Sequence, residues 1–175
     1  MEMLEPEVVP QKRADLGAES HRLLGAERTV VRYAQWSLLA GLVPFSILDI
    51  AAVTGVQVKM LHDLSGQYGV SFQKERIKVL VGSLVGGVAT TSLAAGVVGS
   101  AVRAIPVVGS FLGVVTQPAI AYATTVALGR VFISHFEAGG TLLDFDPIEM
   151  RSFYRTELEK AEQDAKTASA TVAAA

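Results

Sequence analysis

Arg103 is the sole charged residue between Val79 and Gly129, and a helix breaker, Ile105-Pro106-Val107-Val108-Gly109, follows it almost at once. The flanking uncharged runs hold 24 and 26 residues. Each exceeds the ~20 apolar residues that a helix needs to cross a bilayer. The pattern predicts two long apolar helices joined by a tight turn built on Arg103, Pro106 and Gly109. A domain in water must hide such a hairpin completely, whereas lipid accepts it as it stands.

Most charges crowd elsewhere, into the first 35 residues, 59–78 and 147–166, and net charge is only −2. No basic footprint for nucleic acid is present. Without cysteine, thiolate metal sites, disulfides and cysteine nucleophiles are excluded. The acidic, polar start (Glu2, Glu5, Glu7) is unlike a secretory signal, so polar termini in the cytoplasm are expected. Residues 1–18 have two prolines and no apolar periodicity, and read as a disordered arm. Residues 19–166 read as one helical domain, and 167–175 as an Ala-rich disordered tail.

Within the domain, Leu23, Ala26, Val30, Ala34 and Leu38 recur at steps of three and four, predicting a helix over 19–42 that Pro44 stops. Ser46-Ile47-Leu48-Asp49 resembles a capping box and opens a second helix to Tyr68. Its buried face is expected at Ile47, Ile50 or Ala51, Thr54, Val58, Leu61 and Leu64, with Gln57, Lys59, His62, Asp63 and Gln67 on other faces. Gly69 suits the left-handed cap. Ser71 caps a third helix, which runs through Lys74, Arg76 and Lys78 into the apolar stretch to Val102. The return helix spans 110–136, with Pro118 inside it and Gly139-Gly140 at its end. Asp146-Pro147-Ile148-Glu149 opens a last helix to Lys166.

The expected fold is therefore all-α: two Pro-turn helical hairpins plus a C-terminal helix, with the central apolar hairpin inserted in a membrane. Gly41–Leu48 and Ala104–Leu112 echo one another as helix–Pro turn–helix units. Gly82, Ser83, Gly86, Gly87, Ser92, Gly96 and Ser100 form small-residue ladders of the kind that let helix backbones approach in lipid. This ladder predicts helix packing and a homo-oligomer. Asp49 and Gln57 interrupt an apolar helix and admit two readings, a polar lining of a shared cavity or a cap and a surface group. Arg103 either reaches headgroups at the hairpin tip or pairs with Asp49. Lys74, Arg76, Lys78 and Arg130 mark the opposite end as the cytoplasmic one.

Tyr33 and Trp36, beside Arg32, suit a headgroup zone or a core equally. His21, His62 and His135 lie in separate segments without the spacing of a metal site and read as surface or interfacial groups. No Gly-x-Ser-x-Gly elbow or other nucleophile motif occurs. No enzyme, metal or cofactor is expected.

The order Ala40-Gly41-Leu42-Val43-Pro44, Leu48-Asp49-Ile50-Ala51, Gln57-Val58-Lys59-Met60-Leu61, Tyr68-Gly69-Val70, Gly82–Gly87, Ile105–Gly109 and Tyr122–Arg130 resembles the uncharacterised YcjF/GTPase-associated domain family. The likeness covers about residues 28–137. It implies a helical, membrane-associated bacterial module, sometimes attached to a GTPase domain. This chain carries no G-x-x-x-x-G-K-[ST] phosphate loop, so any nucleotide chemistry would belong to a separate GTPase partner. Together these readings point to a non-catalytic scaffold or anchor at the bacterial inner membrane, with membrane lipid and a second copy of itself as partners. The competing reading is a soluble bundle that sheathes the apolar hairpin and can release it into membranes.

Overall fold

The computed structural model describes residues 8–40, 46–94 and 109–173, with side chains described for 14–39, 51–88, 118–165 and 167. These residues form five α-helices: α1 (Val8–Ala40), α2 (Ser46–Tyr68), α3 (Lys74–Ala94), α4 (Gly109–Glu137) and α5 (Arg151–Ala173). The all-α expectation holds, and the helices pack as a bundle. The hairpin turn at Arg103 and Pro106, the ladder positions Gly96 and Ser100, and the side chains of Asp49 and Ser92 lie outside the described residues; Gly109 opens α4.

Helix ends follow local chemistry. Gly69 has φ 67°, Val70 N–H donates to Ser65 O at 2.8 Å and Gly69 N–H to Gly66 O at 3.3 Å. This Schellman closure satisfies the last carbonyls of α2. The same device ends α4, where Gly139 has φ 83° and Gly140 N–H donates to His135 O at 2.9 Å. Asp146 caps as expected, accepting from Ile148 N–H at 2.7 Å, yet one turn intervenes before the regular helix begins at Arg151. Two boundaries differ from expectation. α1 begins at Val8 rather than Glu19, so much of the expected disordered arm is helical. α5 runs to Ala173 because its Ala-rich end has the highest helix propensity of any residue type.

α4 is the hub, packing most extensively on α1 and α5 and also on α2, whereas α3 touches α2 and α5 lightly. Ala26, Val30 and Ala34 of α1, Met60, Leu61 and Leu64 of α2, Leu128, Val131 and Phe132 of α4, and Tyr154 of α5 are fully buried. Leu23, expected in this core, is 40% exposed because the buried stripe of α1 centres on Ala26, Val30 and Ser37. Polar clamps join the helices at their ends. Arg22 reaches Glu137 at 3.2 Å, Tyr68 OH donates to the same carboxylate at 2.5 Å, and the Arg22 guanidinium lies over the Tyr68 ring. Glu157, only 8% exposed, bridges Arg130 at 3.2 Å and Lys160 at 2.6 Å. Arg76 donates to the carbonyls of Leu142 and Leu143, both at 2.6 Å, fastening α3 to the α4–α5 connection. Arg76 and Arg130 are thus engaged inside the bundle, and only Lys74 and Lys78 of the expected basic cluster stand at the surface.

Candidate functional site

The outer side of α1 departs most from ordinary surface chemistry. Stepping three or four residues at a time, Leu24, Arg28, Val31, Gln35 and Leu39 form one exposed stripe, with Arg32 and Trp36 one row over. Leu24 is 54%, Trp36 58% and Leu39 59% exposed. Leu24 to Leu39 spans about 22 Å at 1.5 Å per residue. Large apolar groups held in water beside arginines suit a lipid surface, where rings and aliphatic stems sit below the headgroups and guanidiniums among them. Trp36 is therefore a surface group. Tyr33 takes a different role, half-buried with its hydroxyl donating to Asp63 at 2.6 Å.

Asp63 is the electrostatic seam between α1 and α2. It also accepts from Lys59 at 2.7 Å and lies 3.6 Å from Arg32 and 3.2 Å from His62 Nδ1. Burial alone would raise its pKa, but the hydrogen bonds from Lys59, Tyr33 and His62 outweigh burial and hold the carboxyl at about 2. It stays ionised throughout the neutral range.

Gln57 lies deeper than its chain neighbours suggest. It is 3% exposed, and its Nε2 donates to Thr125 Oγ1 at 3.3 Å. Thr125 donates to Ala121 O at 2.8 Å and sits 2.9 Å from Ser37 Oγ, which also reaches Tyr33 O at 3.1 Å. Ser37, Gln57 and Thr125 thus form a buried polar knot joining α1, α2 and α4. Replacing Thr125 with valine should lower stability by about 1–3 kcal/mol, because it strands the buried Gln57 amide, whereas the Ser37 hydroxyl keeps Tyr33 O as its acceptor. The triple variant Ser37→Ala, Gln57→Leu, Thr125→Val should recover most of that loss, since no orphan then remains. Denaturant midpoints of the two proteins test this directly.

The small-residue ladder divides in two. A Cβ on Gly82 or Gly86 would meet nothing within 4 Å among the described residues, and Ser83 and Val79 beside them are exposed. Gly87 faces the other way, where a Cβ would lie under 3.0 Å from the Arg151 guanidinium, whose Nε has no hydrogen-bond partner among the described residues. Gly87 therefore makes room within the molecule, not between molecules. Nothing in the sequence announced this, because the two residues stand far apart in the chain.

His21 is exposed; His62 meets the edge of Phe72 at 4.7 Å. His135 is buried rather than interfacial, its Nε2–H donating to Thr141 O at 2.8 Å and its ring 5.0 Å from Phe145. No group of three metal-binding side chains occurs among the described residues. One helix among them is long and apolar enough to cross a membrane, Pro118–Glu137, and 61% of its apolar window is buried in the bundle.

Among the described residues, an all-α bundle built around one span-length apolar helix defines the class. The chain belongs to the family described as Domain of unknown function (DUF697), whose model matches residues 11–163, the family to which the proline-turn and glycine signatures pointed. It is also similar to magnetosome membrane protein 22 of Magnetospirillum gryphiswaldense, at 38% identity over 139 residues, covering 79% of this chain and 71% of that relative. No solved structure matches it.

Proposed function

We propose that the protein is a non-catalytic, membrane-associated helical module of the bacterial cytoplasmic membrane, acting as an anchor or scaffold. The observation that carries this reading is the outer face of α1, where Leu24, Val31, Trp36 and Leu39 stand exposed among Arg28 and Arg32. The apolar stretch 118–137 and the similarity to a protein named for a membrane support it. α1 lies in the interface as a half-buried helix, with the polar termini on the cytoplasmic side. The outward part of the α3 ladder, Gly82, Ser83 and Gly86, supports self-association, and a soluble GTPase is the partner that the family resemblance suggests.

One observation favours the sheathed bundle as a second reading. Most of the candidate span is already covered by the protein's own helices. α4 would then enter lipid only after release from α1 and α5.

The chain has a single tryptophan, so Trp36 reports on the α1 face without labelling. On addition of anionic vesicles its emission should shift to the blue and be quenched by brominated acyl chains. Trp36→Ser with Leu39→Ser should reduce vesicle flotation at least about tenfold, given ~1.5–3 kcal/mol for burying each large apolar side chain. Unchanged Trp36 emission and flotation would overturn the interfacial reading. An alkaline carbonate wash separates the two forms of membrane attachment, because only an inserted α4 resists it.

A further inference from the structure

We propose that the groove between α2 and α3 is a binding site for an anionic phospholipid, with the phosphate at the Lys59, Lys74 and Lys78 end and one acyl chain laid along α2. The inference deepens the membrane reading and rests on it. Its starting point is a misplaced face. Ala51, Thr54 and Val58 recur at helical spacing and were expected in the core, yet the core face of α2 is Gln57, Met60, Leu61 and Leu64. The Gln57–Thr125 hydrogen bond sets that rotation. Ala51 is exposed, Thr54 and Val58 are half-buried, and all three line a groove of about 760 Å³. That volume lies inside the range of about 300–1,000 Å³ common for small-molecule sites.

The groove is graded in polarity along its length. Ala51, Gly55 and Val58 make an apolar floor toward the start of α2, and a Cβ on Gly55 would meet nothing within 4 Å. Phe72 and His62 close the other end, where Lys59, Lys74 and Lys78 form the rim. From Ala51 to His62 the floor runs about 16 Å, at 1.5 Å per residue. Among the described lining residues Thr54 supplies the floor's lone hydroxyl, too little to read a nucleotide or a peptide backbone, whereas a hydrocarbon chain asks for no hydrogen bond.

The rim selects the charge. Lys74 has no ion pair among the described residues. Lys59 shares Asp63 with Tyr33 and Arg32, and the Glu75 partner of Lys78 is 81% exposed, open to water and weakly held. Among the described residues, the lining contains no carboxylate. The Lys59–Asp63–Arg32 seam also joins this rim to the α1 face that carries Trp36, so a bound headgroup lies in the same layer as that face.

The test uses the full-length chain in mild detergent, with lipid retention read by native mass spectrometry. Phosphatidylglycerol should be retained in preference to phosphatidylcholine, and inorganic phosphate should not displace it. Lys74→Gln and Lys78→Gln should each weaken retention about fivefold, corresponding to about 1 kcal/mol per cationic side chain near an anionic lipid surface. Gly55→Leu, which fills the floor without meeting a neighbour, should abolish retention of both lipids while the circular dichroism spectrum stays unchanged. Equal retention of the two lipids overturns the rim's role. Displacement by inorganic phosphate makes the rim an ion site and overturns the lipid assignment. Retention unaffected by Gly55→Leu overturns the groove. Failure of the membrane reading is read separately, on vesicle flotation and Trp36 emission, neither of which depends on detergent-retained lipid.

Discussion

Phe132→Ala should lower the unfolding free energy by about 4 kcal/mol, the middle of the range for a large aromatic truncated in a closed core. Phe132 is fully buried, stacks on Phe145 at 4.4 Å with rings 2° from parallel, and meets Phe136 edge-on at 5.8 Å. Phe145 belongs to the connection between α4 and α5, and so does Leu142, 1% exposed. Arg76 holds the carbonyls of that same connection from α3. The ring therefore supports the loop that places two other helices, and the space it leaves cannot close without moving them. At roughly 2–4 °C per kcal/mol for a chain of this size, the melting temperature should fall by about 10 °C. Phe153→Ala serves as the control, because Phe153 is 36% exposed and should lose under about 1 kcal/mol. Equal shifts in the two variants would show that the stacked pair does not organise the connection.

The ends of α2 and α4 were legible in the sequence because their signals are local. Gly69 and Gly139 take the left-handed conformation that a Schellman cap requires, and no distant residue is involved. The existence of the α2 helix was equally plain from its period. Which side of α2 turns inward was not, because periodicity reveals an apolar stripe but not what covers it. Gln57 goes inside since Thr125, itself met by Ser37, accepts from its amide, and this turns Ala51, Thr54 and Val58 toward the groove. The same gap explains α4. Apolar composition suits the middle of a bundle and the middle of a bilayer alike, and only the placement of α1 and α5 shows how much of it the protein itself covers. The α1 surface was half legible: Trp36 and Arg32 stood out, but Leu24 and Leu39 acquired meaning only when nothing described was found packed over them.

Gly129→Leu should cost about 3 kcal/mol and should also discriminate between the two ways in which α4 can meet a membrane. A Cβ at Gly129 would lie under 3.0 Å from both methyl groups of Val30, which is fully buried on α1. Val30 cannot swing aside, because a β-branched side chain in a helix has essentially one rotamer. Ala26 and Ala34, one turn to either side, are small enough for the helices to cross closely there. A leucine at the crossing must push α1 and α4 apart, and overpacking of this kind costs about 1–3 kcal/mol, toward the upper end where neither partner yields. Gly129→Ala combined with Val30→Ala should restore the crossing, since the added methyl replaces those removed, and its unfolding midpoint should exceed that of Gly129→Ala alone. If α4 enters lipid only by leaving α1, Gly129→Leu should raise the carbonate-resistant fraction on vesicles while it lowers stability in solution. If α4 and α1 occupy the membrane together, the same substitution should lower stability and leave that fraction unchanged, because separating the two helices then gives α4 no lipid contact that it lacked before.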